Sequence, residues 1–241
     1  MKNFSIILGA IILVLFVTLV IWGVYCDNTI AITNYCVNNT KNDAKLKFVV
    51  ITDLHNKEYG EKDADLAELV KEQNPDFIAV CGDMVNRGDP DTTKMKDVLE
   101  KLSKIAPTYC CLGNHERDNA AKFGTDFKSE TNSTGAVLLD NEYIKFTKNG
   151  KSVLIGGMSD YPYYEFYTPD DDVPSRTLWE EFAEKAKTIS QFFCTTSPNT
   201  LPRTQRKPHR LNRLRSHPRR TDSIAVHRRS NRSESGTFSE I

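Results

Sequence analysis

The sequence predicts an α/β protein with a membrane anchor at its head, and three observations lead there. Apolar runs ending in Thr52, Cys81 and Cys111 alternate with two stretches carrying apolar residues at helical spacing, the rhythm of a mostly parallel sheet. Past Glu116 the pattern changes to short runs, Ala136–Leu139, Tyr143–Phe146 and Ser152–Ile155, with Asp140-Asn141 and Asn149-Gly150 as turn candidates. These predict hairpins and the start of a second sheet. Ahead of all this, Phe4 to Cys26 runs without a charge.

The uncharged stretch is close to the ~20 apolar residues that cross a bilayer as a helix, so residues 1–26 are expected to be a transmembrane anchor. A cleaved signal peptide is the rival reading. Its apolar region is normally ~7–15 residues and closes on a small-residue site, which Trp22-Gly23-Val24-Tyr25-Cys26 does not offer. Trp22 and Tyr25 suit an interfacial aromatic belt. Lys2 and the free amine favour an inside N-terminus, with Lys41, Lys45 and Lys47 weakening the asymmetry. The expected location is the cell membrane, single-pass, with the domain outside the cytoplasm. Residues 27–45, polar and rich in Asn and Thr, read as a linker.

A strand over Lys47–Thr52 opens the domain. In the helix expected over Lys62–Gln73, Leu66, Leu69 and Val70 share a face; over Thr92–Ile105, Met95, Val98, Leu99, Leu102 and Ile105 do. Such stripes are core. Tyr161–Tyr167, an aromatic run before Asp170-Asp171-Asp172, reads as a loop packing its own rings, and a last helix is expected around Leu178–Ile189. Of the cysteines, Cys81, Cys110 and Cys111 sit in apolar strands as small buried hydrophobes, and Cys26 and Cys36 are near enough in sequence to pair.

Each of the first three strands delivers a polar cluster to one rim: Asp53-Leu54-His55, Gly82-Asp83 and Gly113-Asn114-His115-Glu116. Singly they are ordinary: D-x-H as a turn with a surface histidine, G-D as a strand-to-loop turn, G-N-H-E as a left-handed turn with a solvated His-Glu pair. Together they sit where open α/β sheets place their sites. Carboxylate oxygens and imidazoles are also the donors that a pair of divalent ions about 3.5–4 Å apart would need to clamp a phosphate ester. Side-chain alternation places Asp53 and His55 on the same side of an extended chain, where both can grip one ion.

From Lys47 to about Asp160 the chain resembles the membrane-anchored bacterial metallophosphoesterases, members of the calcineurin-like family. Phe48-Val49-Val50-Ile51-Thr52-Asp53-Leu54-His55, Pro75-Asp76-Phe77-Ile78-Ala79-Val80-Cys81-Gly82-Asp83 and Cys111-Leu112-Gly113-Asn114-His115-Glu116 are similar to that family's first three motifs. The resemblance implies a four-layer α/β/β/α sandwich and two divalent ions drawn from Mn, Fe and Zn. It implies Asp53, His55, Asp83 and Asn114 as metal ligands, with Asp83 bridging. His115 is implied as the catalytic imidazole, with Glu116 orienting it. The expected reaction is hydrolysis of a phosphomonoester or phosphodiester by a metal-activated water.

The family's closing Gly-His-x-His segment is missing. The formal net charge of zero conceals a break near Phe193: residues 194–241 hold 11 Lys or Arg against 3 Asp or Glu, so the first 193 carry 21 against 29. By composition the tail is disordered, and the domain spans residues 46–193. The run Arg215–Asp222 can be written in codons that, read one base later, give Gly-His-Thr-His-Gly-Gly-Gln. Arg203–Arg215 likewise yields an apolar strand leading into it. The tail therefore reads as the product of a frameshift, and its own His209, His217 and His227 replace nothing. A membrane-tethered, non-catalytic protein that binds anionic partners through the tail is the alternative, and an inactive gene product is a third. No nucleic-acid partner is expected.

Overall fold

A computed structural model of the chain describes residues 2–37, 46–157, 181, 184–185, 190–194 and 221–228. Its first element, helix α1 (Lys2–Asp27), is apolar on every face and exposed along its length, with a mean hydropathy of 3.1 over its most apolar 18 residues. A helix apolar all round has no polar side to offer water, and this one is long and apolar enough to cross a membrane.

Strand β1 (Ile30–Val37) follows after two residues and joins the main sheet. The expected linker is thus a strand over these positions. Alternation is the reason: Ile30 and Ile32 pack on one core and Tyr35 on the other, a pattern masked by the intervening Thr and Asn. Strands β2 (Phe48–Thr52), β3 (Phe77–Cys81) and β4 (Thr108–Cys111) are parallel neighbours, linked by helices α2 (Ala64–Glu72) and α3 (Thr93–Ile105). Helices α4 (Asn114–Phe123) and α5 (Phe127–Asn132) come next and were not foreseen, because their exposed faces are polar. Strand β5 (Val137–Leu138) pairs with β4, so Ala136–Leu139 closes the first sheet and does not open the second.

The second sheet comprises the hairpin β6 (Glu142–Lys148) and β7 (Lys151–Gly157), with β8 (Ser190–Cys194) parallel to β7. Strand β9 (Thr221–Arg228) then returns to the first sheet, parallel to β2 and antiparallel to β1. The order is β1-β9-β2-β3-β4-β5. For this segment the expected disorder gives way to a strand, since Ile224-Ala225-Val226 is a short β-forming run inside basic surroundings. The aromatic run, the acidic triplet, and most of the expected last helix and of the tail lie outside the described residues; 181, 184 and 185 are helical.

Successive residues of the central strands feed two cores. Val49, Ile51, Ile78, Val80 and Cys110 meet Leu66, Val70, Leu99 and Leu102 of the helices. Val50, Phe77, Ala79, Tyr109 and Cys111 meet Val153, Ile155 and Phe192 of the second sheet. The described residues thus form helix, sheet and sheet layers, three of the four expected. Phe77, fully buried, stacks on Phe48 at 4.8 Å and meets Phe146 and Phe192 at 5.3 and 5.9 Å. Asp76, beside it, accepts the Lys47 N–H at 2.9 Å and pairs with Lys148, tying the sheets together at the end opposite the polar clusters. Cys81 is disulfide-bonded and so is not the free hydrophobe expected, while Cys26 is free and has no bond to Cys36. Phe77→Ala should lower stability by about 3–5 kcal/mol, the usual loss for a buried aromatic, measurable by urea unfolding of the detergent-solubilised chain.

Candidate metal centre

The three polar clusters meet at the C-terminal ends of β2, β3 and β4. Their loops continue the sheet: the N–H of Asp53 bonds Gly82 O (3.2 Å), that of His55 bonds Asp83 O (3.0 Å), and that of Asn56 bonds Met84 O (2.8 Å). The backbone turns left-handed at Asp53 (φ 58°), His55 (φ 50°), Asn56 (φ 55°) and Asp83 (φ 52°). Strand alternation therefore does not place Asp53 and His55, since β2 ends at Thr52. The left-handed turn does so, exposing both partly while Leu54 between them is buried. Non-glycine residues held in that region carry strain of order 1–3 kcal/mol each and concentrate at functional sites.

His55, Asp83 and His115 bring ligand atoms within 4.8 Å of one another. The rings of His55 and His115 lie 4.5 Å apart, and His55 Nδ1 is buried with no hydrogen-bond partner. A buried imidazole nitrogen without a partner is costly unless something occupies its lone pair. Asn114 lies beside them, its amide nitrogen donating to Asp83 Oδ1 and Oδ2 at 3.1 and 2.9 Å and its oxygen accepting from Arg87. His55 and Asp83 thus offer donors for a divalent ion, with His115 beside them. Asp53 stands at the edge of this group, 3.7 Å from His55 Nε2, with Oδ2 taken by the Thr52 hydroxyl at 2.8 Å. Burial and the neighbouring Asp83 push its carboxyl above the usual range, opposed by that hydrogen bond.

Glu116 does not orient His115. It is 2% exposed, and both its oxygens are spent on backbone. Oε2 accepts from the N–H groups of Asp83 (2.9 Å) and Gly113 (2.8 Å), Oε1 from those of Met84 (2.7 Å) and Val85 (3.1 Å). Burial, then Asp83, raise its pKa, while these N–H groups oppose the rise. What positions His115 is the Val85 carbonyl, 3.1 Å from Nδ1, together with the bond from its own N–H to Asp83 Oδ1 at 3.0 Å. A carbonyl can only accept, so Nδ1 carries the proton and Nε2 keeps the lone pair in the neutral ring.

Asn119, one turn along α4, was not foreseen. Buried at 1% exposure, it accepts the Gly88 N–H and donates to Asn86 O and Asp89 O, which shapes the loop after Asp83. The signal available in the sequence was its i+3 spacing from Glu116 on an otherwise polar helix. Burial pushes the Cys110 thiol pKa well up, and Cys110 and Cys111 point into opposite cores, so neither joins the site.

An α/β sandwich with imidazole, carboxylate and amide donors at its strand ends defines the class: a protein with a candidate metal centre. The family model for calcineurin-like phosphoesterases matches residues 46–227, and the chain belongs to that family. It is 28% identical over 120 residues to an uncharacterised metallophosphoesterase, YkoQ, of Bacillus subtilis, and 30% identical over 119 residues to the phosphodiesterase YaeI of Escherichia coli. Each match covers 48% of this chain and 44% of the relative, so the chain spans less than half the length of these relatives. Among solved structures, the phosphopantetheinyl hydrolase PptH of Mycobacterium tuberculosis is similar over 60% of this chain and 53% of its own, at 18% identity and a TM-score of 0.36.

Two substitutions probe the scaffold of the site. In Glu116→Gln an amide NH2 would face backbone N–H groups, and a buried unsatisfied group costs about 1–3 kcal/mol, so both unfolding stability and manganese affinity should fall. Gly113 approaches so closely that a Cβ there would lie 2.2 Å from Asp83 Oδ1. Gly113→Ala should therefore displace Asp83 and weaken manganese binding in a calorimetric titration.

Proposed function

We propose that this chain derives from a membrane-anchored, metal-dependent phosphoesterase, and that in its present form it carries about half of the metal site. The observation that supports this most is the convergence of His55, Asp83 and His115, with Asn114 hydrogen-bonded to Asp83 beside them and a buried His55 nitrogen lacking a partner. When bound, divalent ions would supply Lewis-acid stabilisation of a phosphate oxygen. His55, Asp83 and Asn114, with Asp53 beside them, would hold them. His115 presents Nε2 to the substrate, as a hydrogen-bond acceptor when neutral and as a proton donor to the leaving oxygen when doubly protonated. Glu116 and Asn119 keep the Asp83 loop in place. Helix α1 anchors the domain in the membrane, with the domain outside the cytoplasm.

The frame reading accounts for the missing ligands. It also extends past the segment that first suggested it. Asp222–Glu240 can be written so that the frame one base later reads I-R-L-P-F-I-G-G-L-I-G-L-N-Q-G-L-F-P-K, without a stop. A basic tail becomes a run rich in Ile, Leu and Phe, the composition of a core-forming segment. The rival, a tail that binds anionic partners, has charge in its favour but no shaped surface among the described residues.

Four measurements test these readings. The full chain in detergent should hold at most one manganese or zinc ion per chain, weakly, with little hydrolysis of an aryl phosphate; two tightly held ions and robust turnover would overturn the half-site reading. Sequencing the codons from Phe192 to Thr221 decides the frame, because Gly-His-Thr-His must appear one base downstream. Restoring that frame should add a second ion and hydrolysis, which Asp83→Ala or His115→Ala should remove. Alkaline washing should leave the chain in membranes, and Ile12→Arg should reduce insertion, a central charge costing about 2.5–3.5 kcal/mol.

A further inference from the structure

The anchor enters the domain at the rim that carries the metal centre. Strand β1 is antiparallel to β9, and β9 is parallel to β2; Ala31 and Thr52 both pair with residue 227. Ile30 and Asp53 are each the next residue beyond that row, toward the same end of the sheet. With only β9 between them, β1 and β2 lie about 10 Å apart at the usual strand spacing. A contact outside the sheet agrees: Lys57, two residues past His55, donates to Asn28 Oδ1 at 2.8 Å.

The junction is also stiff. Asn28 N–H and Nδ2 bond Val24 O at 3.1 and 2.8 Å, and the Thr29 hydroxyl bonds Tyr25 O at 2.7 Å, so the two residues between α1 and β1 are wound onto the helix end. The uncharged Phe4–Cys26 segment is about 34 Å long at 1.5 Å per residue, enough to fill a hydrocarbon core of about 30 Å. Asp27, Asn28 and Thr29 then fall in the headgroup layer. The rim is one residue further, beside Lys57 and the Lys94–Glu58 ion pair.

From this juxtaposition we infer that the metal centre opens onto the headgroup layer of the leaflet where α1 ends, and that its substrate is the phosphoester of a membrane lipid. The inference rests on the reading of α1 as an anchor and of the rim as a phosphoesterase site. A long linker would have let the domain sample soluble esters; a two-residue junction at the catalytic rim holds it at the lipid phosphate instead.

The test uses the full chain in phosphatidylcholine vesicles containing a nickel-chelating lipid. A nitroxide is placed at the exposed rim position Glu58→Cys or at Glu72→Cys, the end of α2 at the opposite pole, each read against the unsubstituted chain. Headgroup nickel should relax the label at 58 and leave that at 72 unaffected; equal responses, or a stronger one at 72, overturn the inference. In the same vesicles with manganese, the chain with its reading frame restored is given phosphatidic acid and phosphatidylglycerol or, in water, glycerol 3-phosphate and glycerophosphoglycerol. Faster hydrolysis of the lipid esters is expected, and faster hydrolysis of the soluble ones overturns the substrate class. Hydrolysis of neither by the frame-restored chain overturns the phosphoesterase reading, and the substrate class with it, while the two labels still decide which way the rim faces. Release of the chain by alkaline washing would overturn the anchor reading.

Discussion

The site depends on one carboxylate. Glu116, on the first turn of α4, takes four backbone N–H groups from two loops that follow different strands. No other side-chain type could do this at one point: two oxygens offer enough lone pairs for all four donors, and an amide or hydroxyl does not. Burying a carboxylate is expensive, and the N–H groups offset that cost only while all are in place. The arrangement is therefore all-or-none, and it fixes Asp83 and Gly113 relative to each other before any ion binds.

That rigidity is what lets the loops hold conformations they would not choose. Asp53, His55 and Asp83 all sit at positive φ, and the ladder of bonds between residues 53–56 and 82–84 keeps them there. The strain has a chemical result, since it turns donors from three separate loops toward one point. It also leaves His55 Nδ1 facing nothing that satisfies it. A scaffold that organises donors ahead of an ion lowers the reorganisation needed to bind it, which is how a small rim of partly exposed groups can select a hard or borderline cation.

The same sheet relates chemistry to location. Because β1 runs antiparallel to β9 and β2, the chain leaves the apolar helix and enters the domain at the end where the ligands gather. Had β1 been parallel, the anchor would have sat at the Asp76–Lys148 end, a sheet length away. Strand direction, a property of the backbone alone, thus decides which end of the domain lies beside the apolar helix.

Much of this protein was legible in its residues. Apolar period and length predict α1, α2, α3 and the central strands because burial must follow the geometry of each element, and Asp53, His55, Asp83, Asn114, His115 and Glu116 were all named as site residues from their place after those strands. The failures share a cause. Strand β1 hid behind Asn and Thr, and β9 behind Arg, because an edge or inserted strand draws its stability from backbone bonds to neighbours that are remote in sequence. The roles of Glu116 and Asn119 were invisible because their partners are main-chain groups of another loop, and main-chain groups carry no sequence signal. The residue types and their order therefore point to the family and to the candidate ligands. Only the tertiary structure decides that Glu116 braces the loops, that a left-handed turn aims Asp53 and His55, and that the apolar helix joins the domain at the rim of the candidate metal centre, since each depends on contacts between residues far apart along the chain.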